Sequence, residues 1–307
     1  TYASTGMSEY NSLVVNFANR VEKASAGRMK IQVFPAGQVV ASPEVTEAVR
    51  AGALDLGSTF LLYYAGKEPA LQGIDEWPAG LYDQQALEWF YSGGGKELLR
   101  PVGERNNFYY LGVTTLLGEN IWSNKKIESL EDVKGLKIRT AGLTAESLSK
   151  FGASPVSMAS EDIYTGMQRG TFEFVSTPVH YGFGWHEVTK YVIKPKFTVG
   201  GASDWIVNLD SWNALPDDLK EIVDNSLRAA SDDFFVQSRL EEGEIVKKLE
   251  EAGVEFLTWP EGDIEKFEKA RYEVVREQYS PNSEDFRVIQ QSRMDFLTKL
   301  GYAVEAP

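Results

Sequence analysis

One stretch, residues 130–142, constrains the fold of this chain more than any other. Its pattern predicts a helical turn, a tight turn at Gly135 and a short strand ending at Arg139, followed by a loop of small residues and a new helix. An arginine in this position, at the carboxyl end of a strand and facing a helix N-terminus, is well placed to hold an anion. We therefore predict that Arg139 anchors a carboxylate site. A surface salt bridge at a strand edge explains the same arginine equally well.

The patterns before and after this stretch favour an α/β fold. An apolar stripe predicts a helix over residues 9–24, and further patterns predict strands over residues 29–34 and 54–60. Because a helical segment separates these two strands, we expect them to pair in parallel through a right-handed crossover. The other main predicted elements are strands over 1–5, 109–114 and 254–258, a crossing between lobes over 118–124, a return over 204–209 and a very long helix over 216–252.

Length, charge and residue usage exclude several classes of function. The 307 residues can form two lobes with separate cores or one large domain, and no run approaches the length of a membrane span. A formal net charge of −14 argues against binding to nucleic acid or to anionic membrane surfaces. The chain has no cysteine, which excludes thiol catalysis and thiolate metal sites. The sequence carries no signal peptide, and for an exported protein we expect that signal to have been removed.

The signatures of enzymes are mostly missing. His180 and His186 stand at i and i+6, which does not put them on one helix face, and no third metal ligand accompanies them. The sequence contains no nucleophile elbow, phosphate-binding loop or dinucleotide fingerprint. We therefore predict no catalysis, no cofactor and no metal site. The alternative, a two-lobed enzyme acting on a small organic acid, needs a general base in the cleft, for which Glu119 is the candidate.

Six segments carry a resemblance to a known family: residues 33–38, 47–57, 127–139, 151–156, 160–164 and 212–216. In this order they resemble the solute-binding proteins of tripartite ATP-independent periplasmic (TRAP) transporters. The resemblance implies an α/β, two-lobed periplasmic binding protein fold, with crossing strands and one long helix linking the lobes. The first lobe is expected to comprise residues 1–117 and 207–247, and the second lobe residues 118–206 and 248–307.

The resemblance also implies a function and a location. Proteins of this family capture organic acids between their lobes, close by hinge motion and deliver the ligand to a membrane permease. The arginine that matches Arg139 makes paired hydrogen bonds to the carboxylate, as guanidinium geometry favours. We accordingly expect a periplasmic protein whose partners are a small organic acid and TRAP permease subunits. Some relatives dimerise through their C-terminal helices, and the sequence leaves a homodimer open.

Four pocket positions depart from those of acidic-sugar-binding relatives. Thr177 falls at an asparagine of those relatives, and Ser160 falls at a phenylalanine. Glu119 falls at a second ligand-binding arginine, by ungapped counting from Arg139, and Phe60 falls at a glutamate. These departures disfavour an acidic sugar. The exchange at Glu119 suggests a ligand amine or hydroxyl, and the exchange at Phe60 suggests an apolar or aromatic ligand body.

The expected ligand is therefore an aromatic or amino-bearing carboxylate, with keto, hydroxy and sulfonic acids as the alternatives. Trp205 and Tyr181 are candidates to pack against the ligand body, and Tyr2, in the first predicted strand, completes the candidate set. A keto-acid-binding branch of the family uses a bound cation, held in part by a glutamate and its aromatic neighbour. The matching residues here are Thr177 and Pro178, and because the carboxylate is missing we expect no metal-bridged ligand.

Overall fold

A computed structural model describes residues 1–3, 5, 7–72, 84–116, 118–177, 181, 184–194 and 201–302. Within these residues the α-helices are α1 (Asn16–Ala24), α2 (Val45–Arg50), α3 (Gln84–Ser92), α4 (Gly95–Arg105), α5 (Gly142–Ser149), α6 (Ile163–Gln168), α7 (Leu209–Ala214), α8 (Asp217–Glu251), α9 (Glu261–Val274) and α10 (Glu284–Lys299). The strands are β1 (Leu56–Thr59), β2 (Phe108–Leu116), β3 (Asn120–Ser123), β4 (Lys137–Arg139), β5 (Ser154–Val156), β6 (Phe174–Thr177), β7 (Tyr191–Lys194), β8 (Gly201–Asn208) and β9 (Glu255–Thr258). The predicted α/β class is confirmed.

A three-stranded sheet in the order β1-β8-β2 forms the centre of the first lobe. The middle strand, β8, runs antiparallel to both neighbours. Two core clusters flank this sheet, one around Trp89, Phe108 and Ile206 and the other around Phe17 and Trp205. The returning strand predicted over residues 204–209 is confirmed in β8, which carries the chain back into this sheet.

The predicted parallel pair of strands in the first lobe is wrong. Residues 29–34 form no strand, and β1 pairs with β8 in antiparallel fashion. The N-terminal residues separate the two segments: the Tyr2 N–H donates to Ser58 O at 2.9 Å, and the Ala36 N–H donates to Ala3 O at 3.0 Å. The alternation of apolar and polar residues predicted a strand over residues 29–34. Whether a segment joins a sheet depends on its pairing partners, which lie far away in sequence and leave no trace in the local alternation.

A six-stranded mixed sheet in the order β5-β4-β6-β3-β7-β9 forms the second lobe. β4 runs parallel to β5 and β6, β7 runs parallel to β9, and β3 is antiparallel to β6 and β7. The two faces of this sheet enter different cores. Ile121, Ile138 and Phe174 pack on one face, whereas Trp122 and Val175 pack on the other.

The longest helix, α8, connects the two lobes as predicted. It has 35 residues, begins after Pro216 at its N-cap, and is followed by Gly253 at φ +89°. Leu227 and Phe234 enter a core of the first lobe, and Leu249 enters a core of the second. Throughout the described ranges, every helix is too short or too polar to cross a lipid bilayer.

The exact division of the chain into lobes stays a prediction. β8 joins the three-stranded sheet from Gly201 onward. α10 packs on both lobes, since Ile289 and Leu297 enter a first-lobe core while Phe286 and Met294 pack with Leu143 of α5. We propose that β8 and one face of α10 be assigned to the first lobe.

Candidate functional site

Arg139 lies at the end of β4, the second strand of the second-lobe sheet, between β5 and β6. Ile138 before it is fully buried, and the register pairs Arg139 with Val156 on one side and Val175 on the other. The side chain is half-buried. Its Nε and Nη2 donate to the carbonyl oxygen of Met158 at 3.0 Å and 2.7 Å. These two hydrogen bonds to one acceptor fix the plane of the guanidinium. They leave its outer edge, formed by Nη1 and Nη2, able to donate to a further acceptor.

The remaining contacts of Arg139 are neutral. Nη2 lies 3.3 Å from the Ser160 hydroxyl and 3.5 Å from the Tyr63 hydroxyl. Among the residues that the structure describes, Nη1 has no hydrogen-bond partner and no carboxylate lies within ion-pair distance of this arginine. A half-buried cation without a counter-ion attracts an anion. The salt-bridge explanation of Arg139 is therefore not supported by this arrangement.

The first lobe contributes a short turn, Leu61–Tyr64, that follows β1 and Phe60. A buried carboxylate holds this turn in place. Asp204 of β8 accepts a hydrogen bond from the Leu61 N–H at 2.8 Å and another from the Tyr110 hydroxyl. Because a buried carboxylate is stable only when donors satisfy it, the turn and the sheet are coupled at this point.

Aromatic rings connect this turn to Arg139. The Phe60 ring lies 4.6 Å from the Tyr2 ring and 6.3 Å, edge-on, from the Tyr63 ring. The Tyr63 hydroxyl then reaches Arg139 in the other lobe. Burial, and next the negative charge of Glu9, raise the pKa of Tyr2 well above its ordinary value, so its phenol is neutral. The structure thus brings together Arg139, Ser160, Phe60 and Tyr2 from the predicted set.

Tyr63 and the Met158 carbonyl were not among the predicted site residues. Tyr63 stands three positions after Phe60 in a helical turn, and this spacing, which puts both side chains on one side, was the available signal. The Met158 contact involves a backbone oxygen, which side-chain identity does not report. Sequence reasoning had no means of finding it.

Glu119 and Thr177 lie at the ends of two paired strands. Glu119 directly precedes β3, whose Asn120 pairs with Thr177 of β6. The Ser176 hydroxyl donates to the Glu119 carboxylate at 2.6 Å. Strand alternation puts Ser176 on the sheet face opposite to Thr177, while Thr177 shares the face of Val175 and Arg139. The roles of Glu119 and Thr177 in binding stay predictions.

Trp205 and Tyr181 occupy contrasting environments. Trp205 is fully buried in a first-lobe core, where its indole N–H donates to the Thr114 hydroxyl at 3.2 Å. It also lines a cavity of about 600 Å³ in the first lobe, and Arg139 is not among the residues lining that cavity. Tyr181 is 38% exposed and stacks on His186 at 4.4 Å. Their contact with a ligand stays a prediction.

The predictions about a metal site and about the histidines involve some residues outside the described ranges. His180 and Pro178 lie outside the described ranges. Within those ranges, no group of three or more histidine, aspartate or glutamate side chains is arranged to hold a metal ion.

A half-buried cation in one lobe meets an aromatic turn of the other lobe, an arrangement typical of two-lobed binding proteins. The chain belongs to the bacterial extracellular solute-binding protein family 7 (DctP), which it matches over residues 1–282. The resemblance to TRAP solute-binding proteins is confirmed, and so is the two-lobed fold. The family and the fold are those of transport binding proteins.

Three relatives illustrate the similarity. A monocarboxylate 2-oxoacid-binding periplasmic protein of Nostoc sp. is 29% identical over 89% of this chain and 77% of its own length. A TRAP solute-binding protein from Bordetella bronchiseptica, with calcium and picolinate, has a TM-score of 0.89 at 25% identity, over 98% of this chain and 90% of that one. A protein from Colwellia psychrerythraea, with calcium and pyruvate, has a TM-score of 0.88 at 25% identity, over 98% and 93%.

Proposed function

We propose that this protein is a periplasmic solute-binding component of a TRAP transporter. It captures a small organic carboxylate between its lobes, closes over it and delivers it to membrane permease subunits without chemical conversion. The observation that supports this proposal most strongly is the state of Arg139. It is a half-buried cation at a strand end with no carboxylate partner in the described chain. The ligand carboxylate supplies the missing counter-charge by pairing with the outer guanidinium edge.

We further propose that the ligand is a monocarboxylate with an apolar or aromatic body. The first-lobe side chain that reaches the cation is Tyr63, and the rings of Phe60 and Tyr2 pack in series behind it. The relatives support the class, because one is named for monocarboxylate 2-oxoacids and another holds picolinate. The contact between Ser176 and Glu119 gives no separate support for a ligand amine, so an amino group remains a feature to test.

A panel of acids tests this proposal. Mass spectrometry of small molecules that co-purify with the protein gives the first candidates, and calorimetric titration measures each affinity. The panel pairs phenylpyruvate with phenylalanine and 3-phenylpropionate, so that the keto group and the amine vary on one body, and adds pyruvate, malonate and picolinate. At a hundred-fold excess over its dissociation constant a true ligand stabilises the fold by about 2.7 kcal/mol.

Two outcomes would count against the proposal. If none of the carboxylates raises the melting temperature, the Arg139 site does not hold this class of ligand. If a bound acid is converted, as mass spectrometry of the incubated mixture would detect, the protein is an enzyme.

A further inference from the structure

A second contact crosses between the lobes beside Arg139. The Glu161 carboxylate accepts two hydrogen bonds from Ser42, one from the hydroxyl at 2.9 Å and one from the backbone N–H at 3.4 Å. The loop at Gly37 approaches the same carboxylate, so closely that an added Cβ would lie 3.4 Å from Oε1. Glu161 therefore binds Ser42, which is more than a hundred residues away in sequence, and lies close to the loop at Gly37.

The two ends of this contact belong to different cores. Ser42 begins the helical turn before α2, whose Val45 and Val49 pack in a first-lobe core. Glu161 lies in the turn before α6, whose Ile163 and Met167 pack in a second-lobe core. Because each end is fixed to its own lobe, relative motion of the lobes must break the contact.

The contact is also adjacent to the proposed ligand site. Ser160, the residue before Glu161, lies 3.3 Å from Arg139 Nη2. One short turn therefore carries both a neighbour of the ligand anchor and the residue that reaches the other lobe. The Ser42 end of the contact is buried, since Ser42 is only 1% exposed.

We propose that Glu161 is a latch between the lobes that favours the closed arrangement and slows ligand release. It is a positioning residue, since it acts on the ligand through the apposition of the lobes. This inference rests on the proposed function for its effect on ligand release, whereas its effect on the lobes does not depend on any ligand. Losing one or two such hydrogen bonds should raise the dissociation rate about threefold to tenfold.

Spin-label distance measurements test the latch without ligand. The chain has no native cysteine, so a label pair can be introduced at two exposed positions, Ala24→Cys in α1 and Gln168→Cys in α6. The background variants are Glu161→Ala, Ser42→Ala and their combination. Asp162→Asn is the matched control, because it also removes one negative charge from the same turn, and the Asp162 side chain makes no hydrogen bond or ion pair in the described chain.

We expect Glu161→Ala and Ser42→Ala to shift the distance distribution away from that of the wild type, and the double variant to add little to either. Asp162→Asn should give the wild-type distribution. Stopped-flow measurement with an acid identified in the panel should then show faster dissociation in both alanine variants and a nearly unchanged association rate. Glutamine at position 161 keeps the shape and can still accept from Ser42, so Glu161→Gln should fall between wild type and alanine.

The latch and the proposed function can fail separately. A wild-type distance distribution in Glu161→Ala, with normal melting, overturns the latch even if carboxylates bind. A shift that Asp162→Asn reproduces overturns it as well, because the cause is then net charge rather than contact. If no carboxylate binds but the distances shift as expected, the latch stands and the ligand class is wrong.

Discussion

Replacing Arg139 by alanine should weaken carboxylate binding about thirty-fold, by the following reasoning. Removing one partner of a buried, hydrogen-bonded charge pair typically costs about 2–5 kcal/mol. The Arg139 side chain is half-buried rather than fully enclosed, so the lower end of this range applies. About 2 kcal/mol corresponds to about thirty-fold in affinity, since each 1.4 kcal/mol is about tenfold.

The contacts of Arg139 within the protein set the cost of the same change without ligand. The guanidinium donates twice to the Met158 carbonyl, and alanine leaves that oxygen without its described donor. The resulting loss of folding stability should be about 1 kcal/mol, which is small beside the loss of ligand binding. Arg139→Lys retains the charge and one donor for Met158 but loses the planar fork. It should therefore melt near wild type and still bind the acid more weakly.

Calorimetric titration and thermal melting of both variants provide the assay, and Arg169→Ala is the control. Arg169 is an exposed arginine in the second lobe that makes no side-chain hydrogen bond or ion pair in the described chain. Its loss changes net charge by the same amount and should leave affinity unchanged. If Arg139→Ala binds the identified acid as tightly as Arg169→Ala, Arg139 is not the anchor and the charge argument fails.

Four further outcomes are expected. Phe60→Glu should weaken an apolar acid while leaving the fold intact, with a lower melting temperature because Phe60 packs against a first-lobe core and the Tyr2 ring; unchanged affinity by titration would remove Phe60 from the site. Glu119→Gln should weaken an amino acid more than the matching acid without an amine, because a carboxylate gives an ammonium a charge-assisted hydrogen bond; equal losses would contradict the amine assignment. Tyr63→Phe removes the hydroxyl 3.5 Å from Arg139 and should reduce affinity about threefold, and wild-type affinity would exclude that contact. A chelator should leave affinity unchanged, since the position matched to a metal-binding glutamate is Thr177; a large drop in titration would reveal a cation site.

Local sequence signals predicted the segment around Arg139 well because its geometry is set by near neighbours. Gly135 adopts φ +77°, a conformation that glycine reaches without a steric penalty, and Leu130 and Val133 are buried before it. The strand Lys137–Arg139 and helix α5 follow as expected. The same reasoning failed for residues 29–34, because this segment meets the N-terminal residues, through Phe34 and the following Ala36, rather than the next strand.

The candidate site was predictable only where one lobe determines it. Ser160 lies beside Arg139 because both belong to the second lobe, and the family pattern relates their positions. Tyr63 reaches Arg139 from the other lobe, a contact that depends on how the two lobes meet. Glu119 was assigned to the site by counting positions from Arg139, and such a count says nothing about which face of the sheet a residue meets. The structure shows that Glu119 binds Ser176, which lies on the sheet face opposite to Thr177.

The division of the site between the lobes has a consequence for specificity. In the proposed site the second lobe supplies the cation, which any carboxylate would need, and the first lobe supplies the aromatic turn, which would distinguish one ligand body from another. Changes at Arg139 should therefore weaken all acids of a panel by a similar factor, whereas changes at Phe60 or Tyr63 should alter their ranking. Because Asp204 ties that turn to β8, we expect substitutions around the turn to change the preferred ligand body without disturbing Arg139. A panel measured on variants from both lobes separates these two contributions.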